Sequence, residues 1–273
     1  MRATFISRWE KHVAGQIVGT VKDGVAQLLY DNEARRNAIS IAMSQQAAEL
    51  LEKYAVDPDV RLLVITGAGD KSFISGADIS EFEKTRKDPE TAAVYSQLST
   101  RMYTLVHDFP KPTIAKIRGF CFGGGMGLAA ACDLRFASDD SLFSIPAARL
   151  GISYRLDFLS WLNGIVGAAR TREMLITARR YKAREALAMG LVHQVAPVAE
   201  FEKAFEDYLA PMKENAPLSM AASKQMISAL ANPLAPIDRE KLKALSTACL
   251  ASEDYKEGRT AFMEKRRPVF RGR

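Results

Sequence analysis

The chain has 273 residues, of which 48% are hydrophobic and 26% are charged; this length and composition indicate a globular protein with a large core rather than a disordered or fibrous chain. Its formal net charge of +6 favours an anionic ligand, but the basic residues are spread along the sequence without a nucleic-acid-binding motif, so we do not expect nucleic acid as a partner. The three cysteines and three histidines are widely spaced and no run of eighteen apolar residues occurs, so the sequence predicts no metal site, no membrane span and a reducing, cytoplasmic location.

Strand and helix signals alternate in the first half of the chain. Alternating residues on either side of Lys22-Asp23-Gly24 predict a β-hairpin over 16–30, because Asp-Gly is a common two-residue turn between strands. This order of elements favours an α/β fold whose parallel strands are joined by right-handed crossovers. The further predicted elements are helices over 41–54 and 90–107 and short buried strands over 62–66 and 113–117.

The second half of the chain has little strand signal beyond a short strand and turn at 142–146. We therefore expect an α/β core over residues 1–200 and a helical region over 201–273. The predicted helices cover 168–178, 183–189, 200–230 with an interruption near 211–217, and 236–265.

A glycine-dense loop, Gly123-Gly124-Gly125, follows the predicted strand over 113–117 and precedes small apolar residues that suit a buried helix. Consecutive glycines let a ligand approach the backbone, and the N–H groups at the start of a helix stabilise negative charge there. The loop also contains a weak dinucleotide-binding pattern, but its mid-chain position and the lack of an acidic residue after the next strand argue against a nicotinamide cofactor.

A second loop, Ser75-Gly76-Ala77-Asp78, follows the strand predicted over 62–66. Two backbone N–H groups that converge from two such loops form an oxyanion hole, which stabilises charge on a thioester oxygen when an enolate forms. Taken together, the two loops resemble those of the crotonase (enoyl-CoA hydratase/isomerase) superfamily.

The resemblance extends over most of the chain. Residues 31–39 are similar to the family's first coenzyme A contact loop, 183–195 to the segment at the end of its core, and 254–270 to its C-terminal signature. It implies a crotonase-like spiral of ββα units with a C-terminal helical oligomerisation region over 201–273 that forms homotrimers, often paired into hexamers. The implied substrate is an acyl-CoA thioester, so coenzyme A would arrive as part of the substrate and no separate cofactor is expected.

By position, the resemblance assigns roles to individual residues. The amides of Ala77 and Gly124 would hold the thioester oxygen. The residues expected to contact coenzyme A are Arg35, Ala38, Ser75, Ala77, Lys265 and Arg266.

The sequence departs from the family where its hydratases place two glutamates, because those positions hold Gly127 and Ala147. Hydration needs groups that activate water and deliver a proton, and neither residue can do so. What remains near the expected acyl pocket is Tyr154, Arg155 and Asp157, of which Tyr154 and Asp157 are the candidates for catalysis. The alternative for Asp157 is to cap a helix that begins near Phe158.

Three interpretations therefore stay open. One is an enzyme of the hydratase/isomerase family in which other groups replace the glutamates. Another is a decarboxylase of malonyl-type thioesters, because Leu150-Gly151-x-x-Tyr154 resembles the family's methylmalonyl-CoA decarboxylases, although those enzymes carry histidine where Ala77 stands. The third is an acyl-CoA-binding or scaffold protein without catalysis.

Overall fold

The computed structural model describes residues 15–81, 88–231 and 237–273. Within the helix that begins at Pro89, it leaves out the side chains of residue 89 and of residues 91–96.

The larger sheet has six strands in the order β1-β2-β3-β5-β7-β10. The first two form an antiparallel hairpin that turns at Asp23 and Gly24, both with positive φ, and the other neighbours in this sheet pair in parallel. The hairpin and the parallel arrangement confirm the expectation from the sequence. The strands are β1 Gln16–Lys22, β2 Val25–Asp31, β3 Leu62–Gly67, β5 Thr113–Ile117, β7 Leu134–Ser138 and β10 Gln194–Ala196.

A smaller sheet of four strands has the order β4-β6-β8-β9. Its strands β4, β6 and β8 are parallel, and β9 pairs with β8 in the antiparallel direction. These strands are β4 Ser72–Ile74, β6 Phe120–Phe122, β8 Leu142–Ser144 and β9 Tyr181–Lys182.

Helices follow most of the strands, and the described chain after β10 is helical. We number them α1 Ile41–Val56, α2 Pro89–His107, α3 Gly124–Ala131, α4 Leu156–Thr177, α5 Ala183–Ala188, α6 Phe201–Glu214, α7 Pro217–Ala231, α8 Arg239–Ala251 and α9 Glu253–Glu264.

Two hydrophobic clusters hold these layers together. The larger one packs α1, α2, α3 and α4 against one face of the main sheet and against the smaller sheet, and it includes Phe73, Phe143 and Phe158. The smaller one packs α6 against the opposite face of the main sheet around Phe136 and Phe205. Because α3 is buried between α2, α4 and β6, the glycine loop at its start has a fixed position.

The structure corrects two of the predicted helices. The helix predicted over 168–178 begins earlier, at Leu156, and contains a kink at Gly167, where φ is 75° and ψ is 166°. The single helix predicted over 236–265 is interrupted at Ser252, whose extended backbone ends α8 and whose hydroxyl accepts a hydrogen bond from Tyr255 N to cap α9. A residue that caps the start of a helix has a non-helical backbone, so Ser252 ends α8 where it caps α9.

Several short strands were not predicted from the sequence. The strands β6 and β7 flank α3, and each has fewer than six residues. Strands of this length give little periodicity to read.

A buried arginine holds the C-terminal end of α3. Arg135 is 4% exposed, and its guanidinium donates hydrogen bonds to the carbonyl oxygens of Leu191 at 2.6 Å, Cys132 at 2.7 Å and Ala129 at 3.2 Å. The last carbonyls of a helix lack partners within the helix, and a cation there also complements the helix dipole. Arg135 therefore ties the helix that carries the glycine loop to the end of the core.

Replacing Arg135 with methionine leaves these buried carbonyls without donors. We expect Arg135→Met to lower the free energy of unfolding by about 3 kcal/mol or more, measured by urea denaturation. The matched control is Arg184→Met, which changes an exposed arginine and should shift stability by about 0.5 kcal/mol or less. Equal effects of the two changes would contradict the proposed role of Arg135.

Candidate active site

The two loops singled out in the sequence lie side by side at one edge of the smaller sheet. One follows β4 and the other follows β6, and these two strands are parallel neighbours in which Ser72 pairs with Phe120. The carboxyl ends of parallel neighbours meet at the same edge of a sheet. This topology places Ala77 next to Gly124.

Glycine is required for this close approach. A Cβ atom added at Gly124 would lie 2.7 Å from Tyr103 Oη and 3.4 Å from Ala77 N. One added at Gly125 would lie only 2.3 Å from the Ile74 carbonyl oxygen. Gly76 also has a φ of +124°, which other residues rarely adopt.

The backbone N–H groups of Ala77 and Gly124 differ from those around them. An isolated parallel bridge pairs Ile39 with Ala77. Its hydrogen bonds run from the Ile39 amide to Gly76 O and from the Asp78 amide to Ile39 O, so they do not use the Ala77 amide. Gly124 is the first residue of α3, where an N–H has no acceptor within the helix. Among the described residues, no backbone oxygen accepts a hydrogen bond from the amide of Ala77 or Gly124.

Both residues line a cavity of about 170 Å³ at this edge of the sheet. Its wall is mainly apolar, with several hydroxyl groups and one arginine. The residues that line it include Ala77, Ile79, Ser99, Tyr103, Gly124, Ala147, Leu150, Ile152, Tyr154, Arg155 and Phe158.

Tyr154 enters this cavity with its hydroxyl directed at the glycine loop. Its Oη donates a hydrogen bond of 2.8 Å to the carbonyl oxygen of Gly123, the residue before Gly124. Burial, and next the neighbouring Tyr103, raise the pKa of Tyr154 well above its ordinary value, so the phenol is neutral at physiological pH. Tyr154 is therefore placed to orient the loop and to donate hydrogen bonds rather than to act as a base.

The resemblance predicted glutamates in the family's hydratases at the positions of Ala147 and Gly127, of which the first lines this cavity and the second lies behind the Phe158 ring. Ala147 lines the cavity and is buried. A Cβ atom at Gly127 would meet the ring of Phe158 at 2.5 to 2.9 Å, so that ring fills the space next to this glycine. Neither position offers a carboxylate, and at Gly127 there is no room for one in the present packing.

The predicted coenzyme A contacts near the first loop form one connected structure. Ser75 lines the cavity, and its amide and hydroxyl donate to the backbone oxygens of Arg36 and Arg35. Arg35 is ion-paired with Asp78 and also donates to Ser80 Oγ, while Ala38 is buried in the same loop.

The Asp78 carboxyl links the loop of residues 31–39 to the loop that carries Ala77. Burial alone would raise the pKa of Asp78, but hydrogen bonds from Ser80 and Arg35 outweigh it and hold this pKa below its ordinary value. The resulting carboxylate binds Arg35 to the segment that carries Ala77.

The structure does not bring the other predicted site residues to the cavity wall. Asp157 lies in the first turn of α4 with half of its side chain exposed, and its nearest approach to Arg155 Nη2 is 3.9 Å. Arg266 pairs with Glu257 and Glu264, and Lys265 ends α9, so both belong to the C-terminal region. Their expected contacts with coenzyme A stay predictions.

Three residues of the wall were not assigned a role from the sequence. Tyr103 lies in α2 and Phe158 in α4, and their rings meet edge to face at 4.4 Å between centroids. Arg155 is the N-cap residue of α4. Only the folded chain brings these three side chains together.

Comparison with known proteins agrees with this geometry. A family model described as enoyl-CoA hydratase/isomerase matches residues 20–273. The chain belongs to the enoyl-CoA hydratase/isomerase family. The mixed α/β architecture is that of this family's solved structures, as the sequence predicted.

Individual family members cover nearly the whole chain. The short-chain-enoyl-CoA hydratase of Clostridium acetobutylicum is 31% identical over 90% of this chain and 94% of its own. The carnitinyl-CoA dehydratase of Proteus mirabilis is 33% identical over 93% of this chain and 97% of its own. A crystal structure of an enoyl-CoA hydratase/carnithine racemase from Magnetospirillum magneticum superimposes with a TM-score of 0.90 at 30% identity, covering 94% of this chain and 96% of its own.

The described part of the chain has neither a membrane-spanning helix nor a cluster of metal ligands. Within residues 15–81, 88–231 and 237–273, no helix combines the length and apolar character needed to cross a membrane. The same residues contain no group of three or more His, Cys, Asp or Glu side chains arranged to hold a metal ion.

The packing of Phe158 on Gly127 gives a prediction about stability. Gly127→Ala should lower the free energy of unfolding by about 1 to 3 kcal/mol, because the methyl group overlaps the ring. Adding Phe158→Leu makes room, so in a double-mutant cycle measured by chemical denaturation the pair should cost less than the sum of the two single changes. Strict additivity would show that the ring does not exclude a side chain at position 127.

Proposed function

We propose that this family member acts on an acyl-CoA thioester and stabilises the thioester enolate with the backbone amides of Ala77 and Gly124. The observation that carries the proposal is that these amides lie next to each other at the wall of one cavity, without a backbone acceptor among the described residues. Hydrogen-bond donors fixed before the reaction stabilise developing negative charge at little reorganisation cost.

The N-terminal position of Gly124 strengthens this effect. The partial positive charge at the start of a helix favours an anion there. At the other end of α3, Arg135 fixes the helix by its carbonyl oxygens, so the direction of the Gly124 amide does not depend on the substrate. The hydrogen bond from Tyr154 Oη to Gly123 O restrains the same loop from the cavity side.

The reaction that follows must work without the pair of glutamates. Among the described residues that line the cavity, none has a carboxylate side chain, and the wall offers hydroxyl groups of Tyr103, Tyr154 and Ser99 instead. Hydration by activated water has no base here. The general assignment to acyl-CoA chemistry of the hydratase/isomerase type is our main proposal.

Decarboxylation is the second candidate, because it needs an oxyanion hole but no base. In this reaction the bond between Cα and the carboxylate breaks, its electron pair moves into the thioester enolate, carbon dioxide leaves, and Cα then takes a proton. The neutral hydroxyl groups and the absence of a carboxylate in the described wall favour this reaction over hydration.

We further propose that the protein works as a homotrimer or hexamer in the cytoplasm. Large apolar side chains are exposed on the two last helices, including Leu250 and, in α9, Phe262 and Met263. Surfaces of this kind usually mark contacts with another chain. Light scattering of the purified protein would give the number of subunits, and a monomer at working concentration would contradict this part of the proposal.

A panel of acyl-CoA thioesters incubated with the pure protein tests the reaction. Mass spectrometry should show loss of carbon dioxide from methylmalonyl-CoA if the enzyme decarboxylates, and gain of water on crotonyl-CoA if it hydrates. Unchanged masses with retained binding call for NMR to detect isomerisation. If NMR is also negative, the protein binds acyl-CoA without catalysis, and if no thioester binds at all, the proposed function is wrong.

Gly124→Ala tests the oxyanion hole on whichever thioester is turned over. The added methyl group lies 3.4 Å from Ala77 N, in the space that the thioester oxygen needs. We expect kcat to fall by about a hundredfold or more, while the dissociation constant for free coenzyme A stays the same. Gly164→Ala is the control, because a Cβ atom there meets nothing within 4 Å, and it should leave kcat unchanged.

A further inference from the structure

We propose that the acyl group of the substrate carries a carboxylate and that Arg155 is the residue that binds it. This inference rests on the proposed function, because it concerns the acyl part of the same thioester. It names the substrate class as the coenzyme A thioester of a short dicarboxylic acid.

The charge of the cavity wall is the first observation. Apart from Arg155, the described lining residues are apolar residues, glycines, serines and tyrosines, so the charged side chain in this part of the wall is a cation. Its neighbours along the wall include Leu150, Ile152 and Phe158. Apolar surroundings weaken screening by water and strengthen the attraction between a guanidinium and an anion.

The guanidinium of Arg155 contacts hydroxyl groups and an aromatic ring among the described residues. Nη1 lies 3.3 Å from Ser99 Oγ, Nη2 is hydrogen-bonded to Thr100 Oγ1, and Cζ lies 5.3 Å from the centroid of the Phe158 ring. The carboxylate of Asp157 is 3.9 Å away and half exposed, so solvent screens this ion pair. These contacts orient the guanidinium of Arg155 at the cavity wall.

The position of Arg155 relative to the two amides indicates the length of the acyl group. Tyr103 Oη lies 2.7 Å from the place of a Cβ atom on Gly124, and Ser99, which contacts Arg155, is four residues earlier on the same helix. Residues four apart lie on one face of a helix, about 6 Å apart along its axis. The helix positions that contact Arg155 and Gly124 are therefore one turn apart, and both contacts border one cavity of about 170 Å³, a size that suits an acyl chain of a few carbons.

A guanidinium is the preferred partner of a carboxylate because its planar set of N–H donors matches the two oxygens. The same charge repels a cationic acyl group. The relative from Proteus mirabilis is named a carnitinyl-CoA dehydratase, and carnitine carries a quaternary ammonium. Arg155 would select against such a substrate in this protein.

Binding of matched thioesters tests the inference without requiring turnover. Glutaryl-CoA and pentanoyl-CoA have acyl chains of the same length, and only the first has a terminal carboxylate. We expect the wild-type protein to bind glutaryl-CoA about tenfold more tightly or better, as charge-assisted hydrogen bonds predict. Equilibrium dialysis measures both dissociation constants, with mass spectrometry confirming that each thioester stays intact.

Three variants separate the charge of Arg155 from its packing. Arg155→Gln should remove the preference for glutaryl-CoA by weakening that ligand alone, and Arg155→Lys should retain part of the preference. Arg149→Gln makes the same change of charge at an exposed arginine outside the cavity wall and should leave the preference intact. Circular dichroism checks that each variant is folded.

The outcomes distinguish this inference from the proposed function. If neither thioester binds, the acyl-CoA proposal itself fails. If wild-type protein binds both equally, or if a folded Arg155→Gln variant loses affinity for both to the same degree, acyl-CoA binding stands and the role of Arg155 is wrong.

Discussion

The contact between the two loops that carry Ala77 and Gly124 is the constraint on which the rest of the structure depends. It exists because the strands before these loops are parallel neighbours and because glycine leaves room for the backbones to approach. A side chain at Gly125 would collide with the carbonyl oxygen of Ile74, so the loop could not pack in its place. The helix that follows is buried along its length, and Arg135 secures its far end, which turns a flexible glycine sequence into a rigid element.

The same packing decides which chemistry the cavity can support. The Phe158 ring occupies the space beside Gly127 and touches the rings of Tyr103 and Tyr154, so aromatic side chains fill the space beside a position where the resemblance predicted a glutamate in hydratases. Burial keeps the Tyr154 phenol neutral, which suits a hydrogen-bond donor and not a base. Under the proposed function, the cavity combines fixed donors for a developing anion with a cation near the acyl group. Such a set of groups favours substrates that bring their own negative charge.

Local signals in the sequence predicted much of the fold, because the hairpin at Asp23-Gly24 and the glycine loop each depend on a few adjacent residues. The sequence predicted one helix beginning near Phe158 and another over 168–178, and the structure joins the two in α4 across the kink at Gly167. The contacts of Arg155 with Ser99 and Thr100, and of Phe158 with Tyr103 and Gly127, could not be predicted, because these partners lie 30 to 60 positions away in the chain. Spacing along the sequence does not encode which helices pack together. Asp157 is two positions from Arg155 in the sequence, yet its side chain is half exposed and is not part of the described cavity wall.

The most direct test of the account is the vibrational frequency of the thioester carbonyl in the complex. Infrared difference spectra of butyryl-CoA carrying ¹³C at that carbonyl isolate its C=O stretch from the protein amide bands. If the amides of Ala77 and Gly124 both donate to this oxygen, the stretch should move to lower frequency on binding, and Gly124→Ala should remove most of the shift. A bound thioester whose C=O stretch matches that of the free thioester in water would contradict the central claim.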